Sequence, residues 1–122
     1  MTTKKKILLV KHTYIDGWYL PGGGVKKFEE PADALSRELR EEIVFSPTEI
    51  ELFGVYSNFA ESKSDTIIIL KCSGIFKKNV KSKEIEKCEF FDLEKLPEDT
   101  SPGTVRRIAE LSSVKSGIIS KW

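Results

Sequence analysis

Leu20 to Phe45 reads LPGGGVKKFEEPADALSRELREEIVF: a strand end, a run of glycines, then one continuous helical pattern. Pro31 opens the helix, because a proline at the first helical position gives up an N–H that has no intrahelical partner. From there Ala32, Leu35, Leu39 and Ile43 recur at the spacing that lines up one apolar face. At about 100° per residue, Glu38, Glu41 and Glu42 gather on an adjacent face, with Glu38 and Glu42 one turn apart. The helix is expected to run to about Val44, since Pro47 forbids much further continuation.

Working outward, Ile7-Leu8-Leu9-Val10 is an unbroken aliphatic run, as expected of a strand covered on both faces. His12 to Gly17 is a loop turning at Asp16-Gly17, and Trp18 to Leu20 is a short strand stopped by Pro21. Beyond the helix, Glu51 to Ser57 and Thr66 to Cys72 read as strands joined by the polar loop Asn58 to Asp65. Gly74 to Phe76 continues the second of them. A basic loop, Lys77 to Lys83, leads to a strand from about Glu86 to Asp92. Ser101 as N-cap and Pro102 at the first position start a last helix, to about Ser113. Val105, Ile108, Ala109 and Leu111 are its expected buried stripe. This order predicts an α/β domain with a mixed sheet packed between helices, and 122 residues suit one such domain.

The charges nearly cancel, with 20 basic and 19 acidic residues. That balance argues against a dedicated nucleic-acid binder, which carries a basic face. Cys72 and Cys88 have no companions at metal-ligand spacing and read as buried thiols in a reducing compartment. The charged start, Met1 to Lys6, and the short apolar run after it suit neither a secretory leader nor a membrane span, so a cytoplasmic protein is expected.

The acidic helix calls for an explanation. Like charges three or four residues apart cost roughly 0.2–0.5 kcal/mol per pair. Glu41 and Glu42 also lie near the helix C-terminus, where the macrodipole disfavours anions. A solvated face, with Arg37 and Arg40 pairing the glutamates, is the plain alternative. The glycines before the helix favour a hard cation instead: they let a metal or ligand approach the main chain, and Mg²⁺ takes carboxylate oxygens while keeping positions for water and phosphates.

Spaced together, these features resemble the Nudix hydrolase signature, G-x5-E-x7-R-E-U-x-E-E-x-G-U. Here it reads Gly23, Glu29, Arg37-Glu38-Leu39-Arg40-Glu41-Glu42-Ile43-Val44-Phe45, with Val44 in place of the signature glycine. Trp18-Tyr19-Leu20-Pro21, Phe90-Phe91-Asp92-Leu93 and Leu96-Pro97 also look like the family. The resemblance implies a Nudix α/β/α sandwich with a central mixed sheet, and hydrolysis of a nucleoside diphosphate linked to another group X. It implies that Glu38, Glu41 and Glu42, with the Gly22 carbonyl, hold Mg²⁺, for which Mn²⁺ is a substitute. Glu29 and Arg37 form the motif's structural salt bridge. Either a helix glutamate or one from a later loop, Glu84 or Glu86, serves as general base. Valine resists the left-handed exit that a glycine at position 44 permits, so the helix exit is expected to differ. Family members often carry a strand before the Ile7 run. The sheet here is expected to lack that edge strand, leaving the edge exposed or covered by dimerisation.

Residues for the rest of the substrate are Tyr14, Tyr19, Tyr56 and Phe59, which can stack on a base, and Lys63, which can meet phosphate. Trp18 is assigned to the core, Arg106-Arg107 to solvent, and the lone His12 to a polar surface. The expected partner is a small-molecule nucleotide, the expected state a monomer or homodimer. The rival reading is a catalytically silent Nudix-fold binding module, whose usual sign, loss of the metal glutamates, is absent here. An RNA-processing role is disfavoured by the small size and the missing basic surface.

Overall fold

The computed structural model describes residues 2–3, 6–43, 45–59, 62, 64–76, 83–113 and 117–122. Along the chain the elements are β1 (Thr2–Thr3), β2 (Lys6–His12), β3 (Trp18–Tyr19), α1 (Pro31–Ile43), β4 (Phe45–Asn58), β5 (Asp65–Phe76), β6 (Ile85–Asp92), α2 (Pro102–Ser112) and β7 (Ile118–Lys121). The aliphatic run of β2 is the middle of the molecule. Ile7, Leu8, Leu9 and Val10 are all buried, and they divide by the two-residue period of a strand. Leu8 and Val10 pack with Leu39, Ile43 and Phe45 on the α1 side. Ile7 and Leu9 pack with Trp18 and Ile108 on the α2 side. At roughly 1.5–3 kcal/mol per buried aliphatic side chain, this strand fastens both helices to one layer, which makes the α/β/α order.

The single mixed sheet expected from the sequence is two sheets. In the first, β6 pairs the whole of β2 antiparallel. Both β1, at Ile7, and β3, at Val10, must therefore share the opposite edge of β2. The missing edge strand is thus also corrected: Thr2 and Thr3 fill that edge for two residues. The second sheet has the order β5-β4-β7, with β5 antiparallel and β7 parallel to β4, so the mixed character belongs to it.

β4 begins at Phe45, well before the expected Glu51. Pro47 ends helical continuation yet lies inside the strand, at a register shift between Pro47 and Glu49. A proline cannot donate to the ladder, and a bulge is where a strand tolerates one. Val44 lies outside the described residues.

Ser101 caps α2 as expected, its Oγ accepting from the Thr104 N–H at 3.3 Å, with Pro102 next in line. The buried face matches the expected stripe at Ile108 and at the half-buried Leu111 but not elsewhere. Val105 and Ala109 are exposed, while Gly103, Thr104, Arg107 and Ile108 are buried. The cause is β7, which the sequence reading did not foresee. It carries Trp122 onto α2, where a Cβ on Gly103 would strike the indole. Arg107, assigned to solvent, is 6% exposed beneath that indole and the Tyr56 ring. Among the described residues no helix is long and apolar enough to cross a membrane.

Candidate metal and phosphate site

One guanidinium organises the loop between β3 and α1. Arg37 donates from Nε to Glu29 Oε2 at 2.8 Å and from Nη2 to Glu29 Oε1 at 3.0 Å. The same Nη2 donates to the Gly24 carbonyl at 3.0 Å, and Nη1 donates to Glu38 Oε1 at 2.8 Å. Glu29 also accepts the Lys26 N–H at 2.9 Å. Both stems of loop 24–29 are therefore held by a side chain from the second turn of α1, the geometry a planar five-donor fork can satisfy and an ammonium cannot. Hydrogen bonds from Arg37 and then from Lys26 hold the Glu29 carboxyl down at about 2, and Glu29 and Glu38 raise the Arg37 guanidinium above its ordinary range.

This depression has a sign that can be tested. Glu29 ionises more readily folded than unfolded, so its contribution to stability is present above the ordinary carboxylate range, near 4.5, and is lost as pH falls toward about 2. The urea midpoint of the protein minus that of Glu29→Gln should be constant above pH ~5 and vanish by pH ~2. A difference that does not change across that window would show that the pair does not stabilise the fold.

On the next part of α1, Glu42 and Glu38 share a hydrogen bond between carboxyls. Burial, that bond, and the charges of Glu38, Glu84 and Glu41 push the Glu42 carboxyl up to about 7. Glu84, from the loop entering β6, is thus brought to the acidic cluster. Its carbonyl is tied down there by the Thr13 N–H at 2.9 Å. Glu86 is drawn off to Lys11, 4.0 Å away. Glu41 is more exposed than Glu38 and lies 3.7 Å from Arg37 Nη1. Among the described residues, no three carboxylate, imidazole or thiolate groups converge tightly enough to enclose a cation as they stand. Glu38 is turned instead toward Arg37 and Glu42.

The donor set nevertheless suits a hard divalent cation. All its atoms are oxygens, two of its carboxyls are crowded into one hydrogen bond, and the loop passing over them has no side chain at the contact. A Cβ built on Gly23 would lie 2.5 Å from Glu38 Cδ. Gly22, at φ 146, holds a conformation that side chains rarely adopt. Gly23→Ala should therefore swing the Glu38 carboxylate away, since a flexible side-chain end yields easily. We expect little change in melting temperature and at least a tenfold loss of any phosphoanhydride hydrolysis. Unaltered turnover in Gly23→Ala would mean that the position of Glu38 is unimportant.

Beside the loop opens a largely apolar cavity of about 640 Å³, within the size range of small-molecule sites. Thr66 to Cys72 of β5 form one wall, and the first turn of α2, with Arg107 and Trp122, forms another. The glutamates are not part of its lining, but Gly22, Gly23 and Gly24 are, together with Leu35 and Leu39 of the same helix. Tethers from Trp18 to Asp99 and Ser101, at 3.0 and 2.9 Å, fix the start of α2 at this position.

The proposed base-stacking residues scatter. Tyr19 lines the cavity and donates its hydroxyl to the Asp16 carbonyl at 3.1 Å. Tyr14 is exposed, its ring centroid 5.1 Å from that of His12, and Phe59 is exposed at the end of β4. Tyr56 requires correction: it is fully buried in the core, its ring under Arg107 and its hydroxyl donated to Glu110 at 2.8 Å, so it has no face for a ligand. Lys63 lies outside the described residues. The sequence reading missed Phe28, which is 97% exposed in the clamped loop at φ 64. That conformation costs a bulky residue roughly 1–2 kcal/mol, and an aromatic beside the glycine run was the signal for it.

The comparisons agree on this architecture. The sequence model of the NUDIX domain matches residues 1–111. An RNA pyrophosphohydrolase of Hydrogenovibrio crunogenus is 39% identical over 49 residues, covering 40% of this chain and 30% of that protein. The m7GpppN-mRNA hydrolase of Saccharomyces cerevisiae is 36% identical over 97 residues, 75% of this chain but 10% of that protein. The chain thus spans a third or less of the length of these curated relatives. The crystal structure of a MutT NUDIX hydrolase from Burkholderia pseudomallei superposes with a TM-score of 0.77 at 23% identity, covering 91% of this chain and 92% of that one. With a family match over nearly its whole length and the fold of a NUDIX hydrolase, the chain belongs to the NUDIX domain family.

Proposed function

We propose that this protein is a Mg²⁺-dependent hydrolase of the diphosphate linkage in a nucleoside diphosphate joined to another group X. The observation that carries the reading is the Arg37 fork, which presses a glycine backbone against Glu38 beside Glu42 and Glu84. Glu38, Glu41 and Glu42, with the Gly22 carbonyl, would hold the cation. When bound, Mg²⁺ neutralises phosphate oxygens, lowers the pKa of water and stabilises the leaving phosphate.

The chain's own residues supply the rest. Arg37 fixes the height of the loop over Glu38, and Glu29 fixes Arg37. The cavity beyond Gly22–Gly24 takes the nucleoside, its apolar walls suiting a base and Tyr19 offering a ring at the entrance. Glu84 stands beside the cluster as the carboxylate that takes the proton of the attacking water. One water oxygen–phosphorus bond forms and the bridging phosphorus–oxygen bond breaks, yielding two phosphate products. The names of the two curated relatives, an RNA pyrophosphohydrolase and an m7GpppN-mRNA hydrolase, are in keeping with this bond class.

The test is a panel of nucleoside triphosphates, ADP-ribose, nucleotide sugars and dinucleoside polyphosphates, with Mg²⁺ and with chelator, run beside Glu41→Gln. Release of nucleotide or phosphate from at least one member, dependent on Mg²⁺ and on Glu41, is expected. If no member is cleaved faster than by the variant, the hydrolase reading fails.

A further inference from the structure

Glu84 is carried by a segment that Thr13 ties down. It lies one residue before β6, whose ladder with β2 ends at the pair of His12 and Ile85. Past that pair the hold passes to Thr13. The Thr13 N–H donates to the Glu84 carbonyl at 2.9 Å. Its hydroxyl donates to the Lys83 carbonyl at 3.1 Å, with the Glu84 carbonyl a second acceptor at 3.4 Å. These bonds are exposed to solvent, where a hydrogen bond adds little to folding, so stability gives only a weak reason for them.

Thr13 is itself firmly seated. Lys11 pairs Lys87 and His12 pairs Ile85, so Glu86 has no residue opposite, a bulge of the kind that re-aims side chains beside active sites. The His12 ring then lies against two others, its centroid 5.1 Å from that of Tyr14 and 5.6 Å from that of Tyr19. Tyr19 belongs to β3 and reaches back to the Asp16 carbonyl. The stretch from His12 to Asp16 is therefore stitched to β3 and offers a fixed point from which residues 83 and 84 hang. At the other end of this tether are the glutamates. Ile85, next to Glu84, packs in one core cluster with Leu39 and Ile43, the α1 residues on either side of Glu41 and Glu42. That packing sets Glu84 beside the turn of α1 that carries Glu42.

Resting on the hydrolase reading, we infer that Thr13 is a positioning residue: its N–H and hydroxyl hold the backbone at 83 and 84 so that the Glu84 carboxylate meets the attacking water. A proton acceptor works only within hydrogen-bond reach of the proton it takes. Displacement by 1 Å costs about 10²-fold in rate, so two exposed bonds that do little for the fold have a large effect on the reaction.

Thr13→Val keeps the shape and the N–H bond and loses the hydroxyl. The probes are the nucleoside triphosphates, ADP-ribose and diadenosine tetraphosphate, each in Mg²⁺. On whichever is cleaved, Thr13→Val should lower kcat about tenfold, part of the cost of a full 1 Å displacement. KM, half-saturating Mg²⁺ and melting temperature should be little changed, and Thr13→Ser, which keeps the hydroxyl, should restore kcat. Glu84→Gln should lose about 10²–10⁴ in kcat. Adding Thr13→Val to it should cost nothing further, because the hydroxyl acts through that carboxylate. An equal tenfold loss in the Glu84→Gln background, a loss that falls on KM or on the Mg²⁺ requirement, a Thr13→Ser as slow as Thr13→Val, or full activity in Thr13→Val or Glu84→Gln would each overturn the inference and leave the hydrolase reading standing. Cleavage of no probe would overturn both.

Discussion

Glu42→Gln is expected to lower kcat by about 10²–10⁴, the range for loss of a positioned carboxylate, while making the metal-free protein more stable to heat. The two effects have one origin. Glu42 is half-buried against Glu38, with Glu84 and Glu41 nearby, and its carboxyl is raised to about 7. A carboxyl that holds its proton more tightly folded than unfolded loses stability for the fold as pH rises from the ordinary carboxylate range, near 4.5, to about 7. Glutamine keeps the shape and removes the charge. The gain in melting temperature should therefore be present at pH 8 and absent at pH 4, in chelator. Circular dichroism melts at the two pH values, beside steady-state rates in Mg²⁺, make the check. Full activity in Glu42→Gln would remove this glutamate from the chemistry, and a stability gain equal at both pH values would refute the crowding of carboxyls.

Arg107→Ala is expected to destabilise the fold by about 3 kcal/mol, as loss of one partner from a buried ion pair does. That corresponds to a fall of the melting temperature on the order of 10 °C for a chain of this size. The guanidinium is sandwiched, its carbon 4.1 Å from the Tyr56 ring centroid and 4.9 Å from that of Trp122. Its Nη1 donates to the Lys121 carbonyl at 3.3 Å. Its Nε lies 2.9 Å from Glu110 Oε1, but off the N–H axis, so that N–H is buried without an acceptor in line. The ion pair is therefore electrostatic more than hydrogen-bonded. Glu110 also accepts from the Tyr56 hydroxyl, and burial together with that bond raises the phenol to about 12. Removing the cation leaves Glu110 with the phenol alone and lets Trp122 and β7 come away from α2. Arg107→Met, which keeps the stem and loses the charge, separates packing from electrostatics: it should recover part of the loss but not all. Thermal and urea unfolding measure both, and a shift below about 1 kcal/mol in Arg107→Ala would show the stack to be incidental.

The parts of this protein readable from the sequence are those whose cause is local. Pro31 and the apolar spacing from Leu35 to Ile43 require a helix, and that helix puts Glu38, Glu41 and Glu42 on neighbouring positions whatever else the chain does. The aliphatic run Ile7 to Val10 requires a strand with two covered faces. Ser101-Pro102 requires a helix start. What only the tertiary structure decided depends on partners far along the chain. Arg107 and Tyr56 read as a surface charge and a ligand-facing ring until β7 arrives: a guanidinium can be buried only where aromatic faces and a carboxylate are brought to it, and those come from β4, α2 and Trp122. The division into two sheets, the cavity beside the glycine loop and the approach of Glu84 to Glu42 have the same character. Each is a meeting of segments whose local patterns are complete without one another, so sequence by itself placed the glutamates on their helix, and packing decided what faces them.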